Sequence, residues 1–178
     1  MRREHDMRKI EERIVRSMYG EGRTGALSVR DRVDSYGSSL FSTGGGVCFK
    51  VYRLFGNAVA MRDLSLASVR IRASVVSQTT QSRLNALLSG SGYELHRRGG
   101  RMYLCSASAF AVRVPTGEVI TEGGTARIGR MHCCLLYGRF SYEVPLDGRR
   151  TVIILQDLLA SPADYYAGDV LRAWEAAE

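Results

Sequence analysis

The sequence predicts an α+β fold: a mainly antiparallel sheet with one inserted helix, plus N- and C-terminal helices. Three observations carry that expectation. Apolar and polar residues alternate over most of residues 47–156, the period of half-buried strands. One stretch within them, Gln78–Leu88, switches to helical spacing. Helical spacing also marks residues 4–19 and the region after Ser161.

In residues 4–19, Met7, Ile10, Ile14 and Met18 fall at steps of three and four, and Gly20 is a natural stop. So thin an apolar stripe cannot hold a short helix alone in water; it needs a partner surface. That surface is either the chain's own domain or a neighbouring copy, so Met7, Ile10, Ile14 and Met18 are the candidate self-association residues. Residues 20–46 mix Gly20, Gly22, Gly25, Gly37 and Gly44-Gly45-Gly46 with serines, which reads as a flexible tether with one short helical turn around Val29–Val33. The expected division is an arm and tether over 1–46 and a globular α+β domain over 47–178.

From Val47 the alternation begins, and Gly56-Asn57 breaks the first strand. Ala58–Val75 is a second strand region. Its apolar phase slips between Leu64/Leu66 and Val69/Ile71, predicting a β-bulge or break near Ala67-Ser68. Arg70 and Arg72 then share a polar face. Ser77 or Thr79 caps the helix, Leu84, Leu87 and Leu88 form its buried stripe, and Ser89-Gly90-Ser91-Gly92 ends it. Tyr93–Leu95 and Arg101–Val114 read as strands around the turn Arg97-Arg98-Gly99-Gly100, followed by short segments over 117–130. Strands at Met131–Tyr137 and Phe140–Val144 lead to Asp147-Gly148, a strong hairpin signal, and back along Arg149–Gln156. The last helix opens near Ser161-Pro162 and turns Tyr166, Val170 and Trp174 inward.

The charge points to a partner class. The net charge is +7, with 25 basic and 18 acidic residues, and Lys9 and Lys50 are the two lysines among the basic ones. From Asp157 onward the tail nets −4, leaving +11 on residues 1–156. Such an excess favours polyanions, meaning nucleic acid or anionic lipid; GC-rich coding is the competing source of the arginine bias. The candidate contacts are Arg2, Arg3, Arg8, Lys9, Arg70, Arg72, Arg97, Arg98, Arg101, Arg149 and Arg150, with a further pair at Arg127/Arg130. The interleaved aromatics Tyr103, Tyr137, Phe140 and Tyr142 read as packing residues, with no stacking motif for single strands.

No set of residues emerges that could run an enzyme. His132-Cys133-Cys134 is contiguous, so neighbours point to opposite faces of a strand, and no second cluster completes a metal site. Glu11-Glu12 reads as solvated helix surface. Cys48, Cys105, Cys133 and Cys134 match no disulfide scaffold and read as free, small hydrophobes. No catalytic residue, metal, cofactor or small-molecule substrate is expected. The longest apolar runs are a few residues, far below the roughly 20 that a spanning helix needs. Residues 2–16 lack an apolar signal-peptide centre. The expectation is an intracellular protein, not secreted and without a transmembrane segment.

Between Val47 and Asp157 the order of elements resembles the rhabdovirus matrix proteins. The resemblance is carried by Ser68-Val69-Arg70-Ile71-Arg72-Ala73, the helix Gln78–Leu88, and the basic turn into Arg98-Gly99-Gly100-Arg101-Met102-Tyr103-Leu104. The irregular residues 115–130 and the pair Leu136–Val144 and Arg149–Asp157 complete it. The charged arm on a tether is similar too. Where animal members carry Pro-Pro-x-Tyr, this chain has Pro162-Ala163-Asp164-Tyr165. The resemblance implies a structural protein of the virion or host-cell cytoplasm that self-associates as a homo-oligomer, condenses the nucleocapsid and contacts an anionic membrane surface. The alternative is a stand-alone nucleic-acid-binding or regulatory protein of a virus, phage or GC-rich bacterium.

Overall fold

A computed structural model describes residues 9–19, 29–32, 38–43, 49–54, 57–63, 66–73, 77–115, 117–122, 126–138 and 140–156. These residues form two helices, α1 (Lys9–Tyr19) and α2 (Gln78–Leu87). The strands are β1 (Val29–Arg32), β2 (Ser38–Thr43), β3 (Phe49–Leu54), β4 (Asn57–Asp63), β5 (Ser68–Arg72), β6 (Tyr93–Arg98) and β7 (Arg101–Ser106). They continue with β8 (Ala111–Arg113), β9 (Val119–Glu122), β10 (Ala126–Ile128), β11 (Met131–Leu135), β12 (Phe140–Pro145) and β13 (Thr151–Gln156).

The strands divide into two sheets rather than the one expected. The larger runs β1-β2-β3-β4-β5-β12-β13-β8-β9 and the smaller β10-β11-β7-β6. Every pairing is antiparallel except β13 with β8. α2 links them, leaving β5 of the large sheet and delivering the chain to β6 of the small one. A single core cluster draws on both: Tyr52, Val59 and Ile71 from the large sheet, Leu95 and Leu104 from the small one, and Leu84, Leu87 and Leu88 around α2.

α2 forms where its cap and stripe put it. Ser77 accepts a hydrogen bond from the Thr80 amide at 3.1 Å, and Leu84 and Leu87 face inward. The helix also closes the outer edge of β6. Asn85 Nδ2 donates to the Leu95 carbonyl at 3.0 Å while the Leu95 amide donates to Asn85 Oδ1 at 2.6 Å, so a side-chain amide stands in for a neighbouring strand.

The expected break near Ala67-Ser68 is present, as a chain reversal between β4 and β5, and a register shift falls at Tyr52/Arg53 between β3 and β4. Three other expectations need correcting. Residues 20–46 are not wholly a tether: β1 and β2 form a hairpin that continues the large sheet through β3, and Val29–Arg32 is strand, not a helical turn. Backbone pairing to an existing edge supplied there what the glycine- and serine-rich composition concealed. Cys105 and Cys133 are not free; they face each other on β7 and β11 with Cα atoms 4.2 Å apart and are joined as a disulfide. Glu11 is buried, hydrogen-bonded to Ser82 of α2, whereas Glu12 is exposed.

The pair of terminal helices is not established either. α1 covers the described part of the first, and the C-terminal helix falls outside the described residues. α1 lies on the chain's own core: Ile14 and Met18 are fully buried, and Ile10 packs against the cluster. Tyr19 donates its hydroxyl proton to the Leu87 carbonyl at 2.6 Å. Arg62 caps the end of α1 through the Met18 carbonyl at 2.8 Å and stacks on the Tyr19 ring at 5.3 Å. Among the described residues, no helix is long and apolar enough to cross a membrane.

Candidate polyanion-binding site

The predicted contact residues separate into two populations once their surroundings are known. In the first, the guanidinium groups are committed internally. Arg70 is buried on β5 with its NH2 3.6 Å from the Glu143 carboxylate, directly across on β12. Arg72, half-buried, has a partner as well. Arg149 donates to Asp147 at 2.8 Å and to the Ala67 carbonyl at 3.2 Å. That hydrogen bond holds the Asp147 carboxyl below its ordinary value. Arg150 reaches furthest into the structure. It bonds to the Ser106 hydroxyl, the Ser108 carbonyl at 2.6 Å and the Ala109 carbonyl at 3.2 Å, and lies 4.9 Å over the Tyr93 ring. These side chains hold loops and strands together; Arg70 and Arg150 have little left to offer a phosphate, while Arg149, though bonded, stays exposed.

The second population is Arg97, Arg98 and Arg101. All three are exposed, and none makes a hydrogen bond or ion pair with another described residue. They stand on the β6–β7 hairpin, whose turn is Gly99-Gly100. Both glycines have positive φ, 58° and 75°, as a two-residue turn matching the strand twist requires. The turn sets Arg98 directly opposite Arg101 and Arg97 opposite Met102. Cross-strand partners share a sheet face, so Arg98 and Arg101 lie side by side on the outer face of the small sheet. Arg97 continues the inward line of Tyr93 and Leu95 past the end of the core, which is why it emerges into solvent. Beside the hairpin is an open depression of about 470 Å³, lined by Arg97, Gly100, Arg101, Leu135 and Tyr137 among others.

The arginine clusters do not gather at one end of the sheet. In the small sheet, Arg127 is in register with His132, which is in register with Ser106. The β10–β11 turn with Arg130 therefore lies at the opposite end from Gly99-Gly100. Lys9 is exposed at the start of α1. Arg2, Arg3, Arg8 and Met7 lie outside the described residues.

The self-association stripe has a different fate. With Ile14 and Met18 inside the chain's own core, the docking is in cis, and neither residue can reach a second copy while α1 keeps this position.

Among the described residues, no three His, Cys, Asp or Glu side chains gather as a metal site. His96 Nε2 is 3.3 Å from Glu94 Oε1, on the outer sheet face rather than in the depression. Cys134 is a buried free thiol whose pKa desolvation pushes up to about 12. A small cavity between β5, α2 and the small sheet measures about 10 Å³, room for a water at most.

What sequence reasoning missed was the committed role of Arg62, Arg149 and Arg150, which bond to carbonyls 41 to 82 residues away, Arg149 also bonding to nearby Asp147. The signal it did hold was the flanking of a Gly-Gly turn by arginines on both sides. No family model matches the chain, and no curated protein or solved structure matches it, so the site is read from its own geometry.

Proposed function

We propose that this chain is a nucleic-acid-binding protein that takes the phosphate backbone on the β6–β7 hairpin. The reading rests on one observation: two arginines directly opposed on neighbouring strands, a third at the same end of the hairpin on the other face, and no carboxylate among the described residues paired to any of the three. Like charges placed opposite each other on a sheet cost roughly 0.2–1 kcal/mol. A bound polyanion reverses the sign of that term, since its phosphates neutralise both guanidinium groups and release counterions. The hairpin is short and its turn is conformationally fixed, so the backbone holds the three arginines in place before a ligand arrives, and the ordering cost of binding lies in their side chains.

The matrix-type reading is a wider form of the same proposal. Its polyanion half uses this hairpin. Its self-association half requires a surface other than Ile14 and Met18, and its membrane half requires that anionic lipid headgroups compete with nucleic acid for the same arginines.

The test is a salt titration of RNA binding by the full chain and by the triple variant Arg97→Gln/Arg98→Gln/Arg101→Gln. The wild-type affinity should fall steeply with salt. The variant should bind weakly, with the slope of log K against log salt shallower by about 2 for a single strand. Wild-type affinity and slope in the variant would refute the proposal. Binding to vesicles containing phosphatidylserine but not to RNA would replace it with the membrane reading.

A further inference from the structure

We infer that the outer face of the small sheet is a stacking platform for unpaired bases, so that the nucleic acid taken by the β6–β7 hairpin is single-stranded. This rests on the proposal above and gives its partner a narrower chemical class.

The register places His96, Tyr103 and Leu135 in one row across β6, β7 and β11. All three are half-buried and lie on the face that also carries Arg98 and Arg101. The row is two residues from the arginine pair, about 7 Å along the strands. Tyr103 makes no hydrogen bond or ring contact with another described residue. The aromatics therefore part company: Phe140 and Tyr142 are fully buried core, while Tyr103 is partly open to solvent beside unneutralised positive charge.

The platform is also held rigidly. The next row along is Glu94, Cys105 and Cys133, where the disulfide ties β7 to β11. A flat ring on a cross-linked sheet, with guanidinium groups one step away, offers a π-face for a base and donors for the phosphate beside it. Bases stacked inside a duplex present no free face to such a ring, so Tyr103 adds affinity only for strands whose bases are unpaired. Uridine- and thymidine-containing strands offer the same chemistry.

The experiment measures binding of the full chain to fluorescein-labelled oligo-U and oligo-dT single strands, to a duplex of equal length and to heparin. It compares wild type with Tyr103→Leu, Tyr103→Phe and Arg98→Glu/Arg101→Glu. Leucine keeps the apolar contact and removes the ring. Tyr103→Leu should lose roughly 5- to 100-fold for both single strands, the value of one stacked base, with duplex and heparin unchanged, and Tyr103→Phe should stay within about twofold of wild type. A Tyr103→Leu variant that binds single strands as wild type does, or weakens for all ligands alike, overturns the platform while leaving phosphate binding intact. Unchanged binding by Arg98→Glu/Arg101→Glu overturns the hairpin proposal and the platform with it. Ultraviolet crosslinking of oligo-U to the wild-type chain should map to the peptide holding Tyr103, independently of how any variant folds; crosslinks confined to other peptides refute the platform.

Discussion

The β6–β7 and β12–β13 hairpins are built alike and used oppositely. Each turns through glycine with positive φ, Gly99-Gly100 in one and Gly148 in the other, and each carries paired arginines at the turn. At β12–β13, Arg149 and Arg150 fold back onto Asp147, Ala67, Ser106, Ser108 and Ala109. At β6–β7, Arg97, Arg98 and Arg101 find no such acceptors among the described residues. The difference lies in what the topology brings near. β13 runs parallel to β8, so the loop 107–110 passes beside Arg150 with its carbonyls turned toward it. The β6–β7 turn stands at the end of a four-stranded sheet, where no described residue supplies a comparable carbonyl. An arginine pair in a sequence is therefore ambiguous between a structural clamp and a ligand site, and the nearby carbonyls decide.

The largest expected effect tests whether the free hairpin depends on the sheet that carries it. Reducing the Cys105–Cys133 disulfide removes a cross-link that closes a 28-residue separation. On the chain-entropy account that should lower stability by roughly 3.6 kcal/mol. Urea unfolding of the full chain with and without a dithiol reductant measures it. Heparin affinity below the unfolding transition should be kept, because the bond ties β7 to β11 and leaves the Gly99-Gly100 turn and its arginines untouched. Identical midpoints in the two conditions would show that the cross-link does not constrain the chain.

Next in size is the clamp. Arg150→Ala deletes three hydrogen bonds and a cation–π contact, two of the bonds to backbone carbonyls of the loop beside β8, and should cost about 2 kcal/mol. RNA affinity of the folded variant should not change. A variant that is stable but binds RNA poorly would move Arg150 into the ligand-binding population and erase the distinction between the hairpins.

How much of this was legible follows the range of the interactions. α2 was readable from Ser77 and its leucines, and both arginine hairpins from their glycines, because caps and turns are decided within a few residues. The partition into two sheets was not. β5 pairs with β12 some 70 residues later, and the parallel pairing of β13 with β8 leaves no local signature. β1 and β2 were hidden for another reason: their glycine- and serine-rich surroundings carry little hydrophobic period, and pairing with β3 decides them. Cys105 and Cys133 could be paired only once the register of β7 and β11 was known. For the candidate site, the sequence offered Arg98 and Arg101 around Gly-Gly only as members of a longer list, from which Arg70, Arg149 and Arg150 could not be told apart.

A third, smaller effect separates core from hairpin by pH. Burial raises the Cys134 thiol from 9.0 to about 12, and burial likewise raises Tyr93 and Tyr142 above their ordinary values. A group whose folded pKa is raised stabilises the fold below its unfolded pKa, and that contribution is lost as pH climbs toward the folded value. Stability should therefore fall from about pH 9 upward, with Cys134 accounting for about 1 kcal/mol by pH 10. Urea midpoints at pH 8 and pH 10 for wild type and Cys134→Ala measure this share. An equal drop in both proteins would show that Cys134 does not contribute.

The smallest effect on stability is the most diagnostic, because it is expected to run against function. Arg98→Glu turns a like-charge pair across β6 and β7 into an opposite-charge pair with Arg101, at exposed positions where no other described residue is bonded to either side chain. Removing the repulsion and adding a cross-strand ion pair should raise stability by about 0.5 kcal/mol, less at high salt. The same change places a carboxylate where a phosphate would sit and leaves Arg101 neutralised, so RNA affinity should drop sharply. Thermal melting at low and high salt, set beside the binding titration, reads both quantities from one preparation. A stability gain with lost affinity is the signature of charge held unpaired for a ligand. If Arg98→Glu is destabilising, the two guanidinium groups do not face each other as the β6–β7 register requires, and the site must be sought elsewhere on the small sheet.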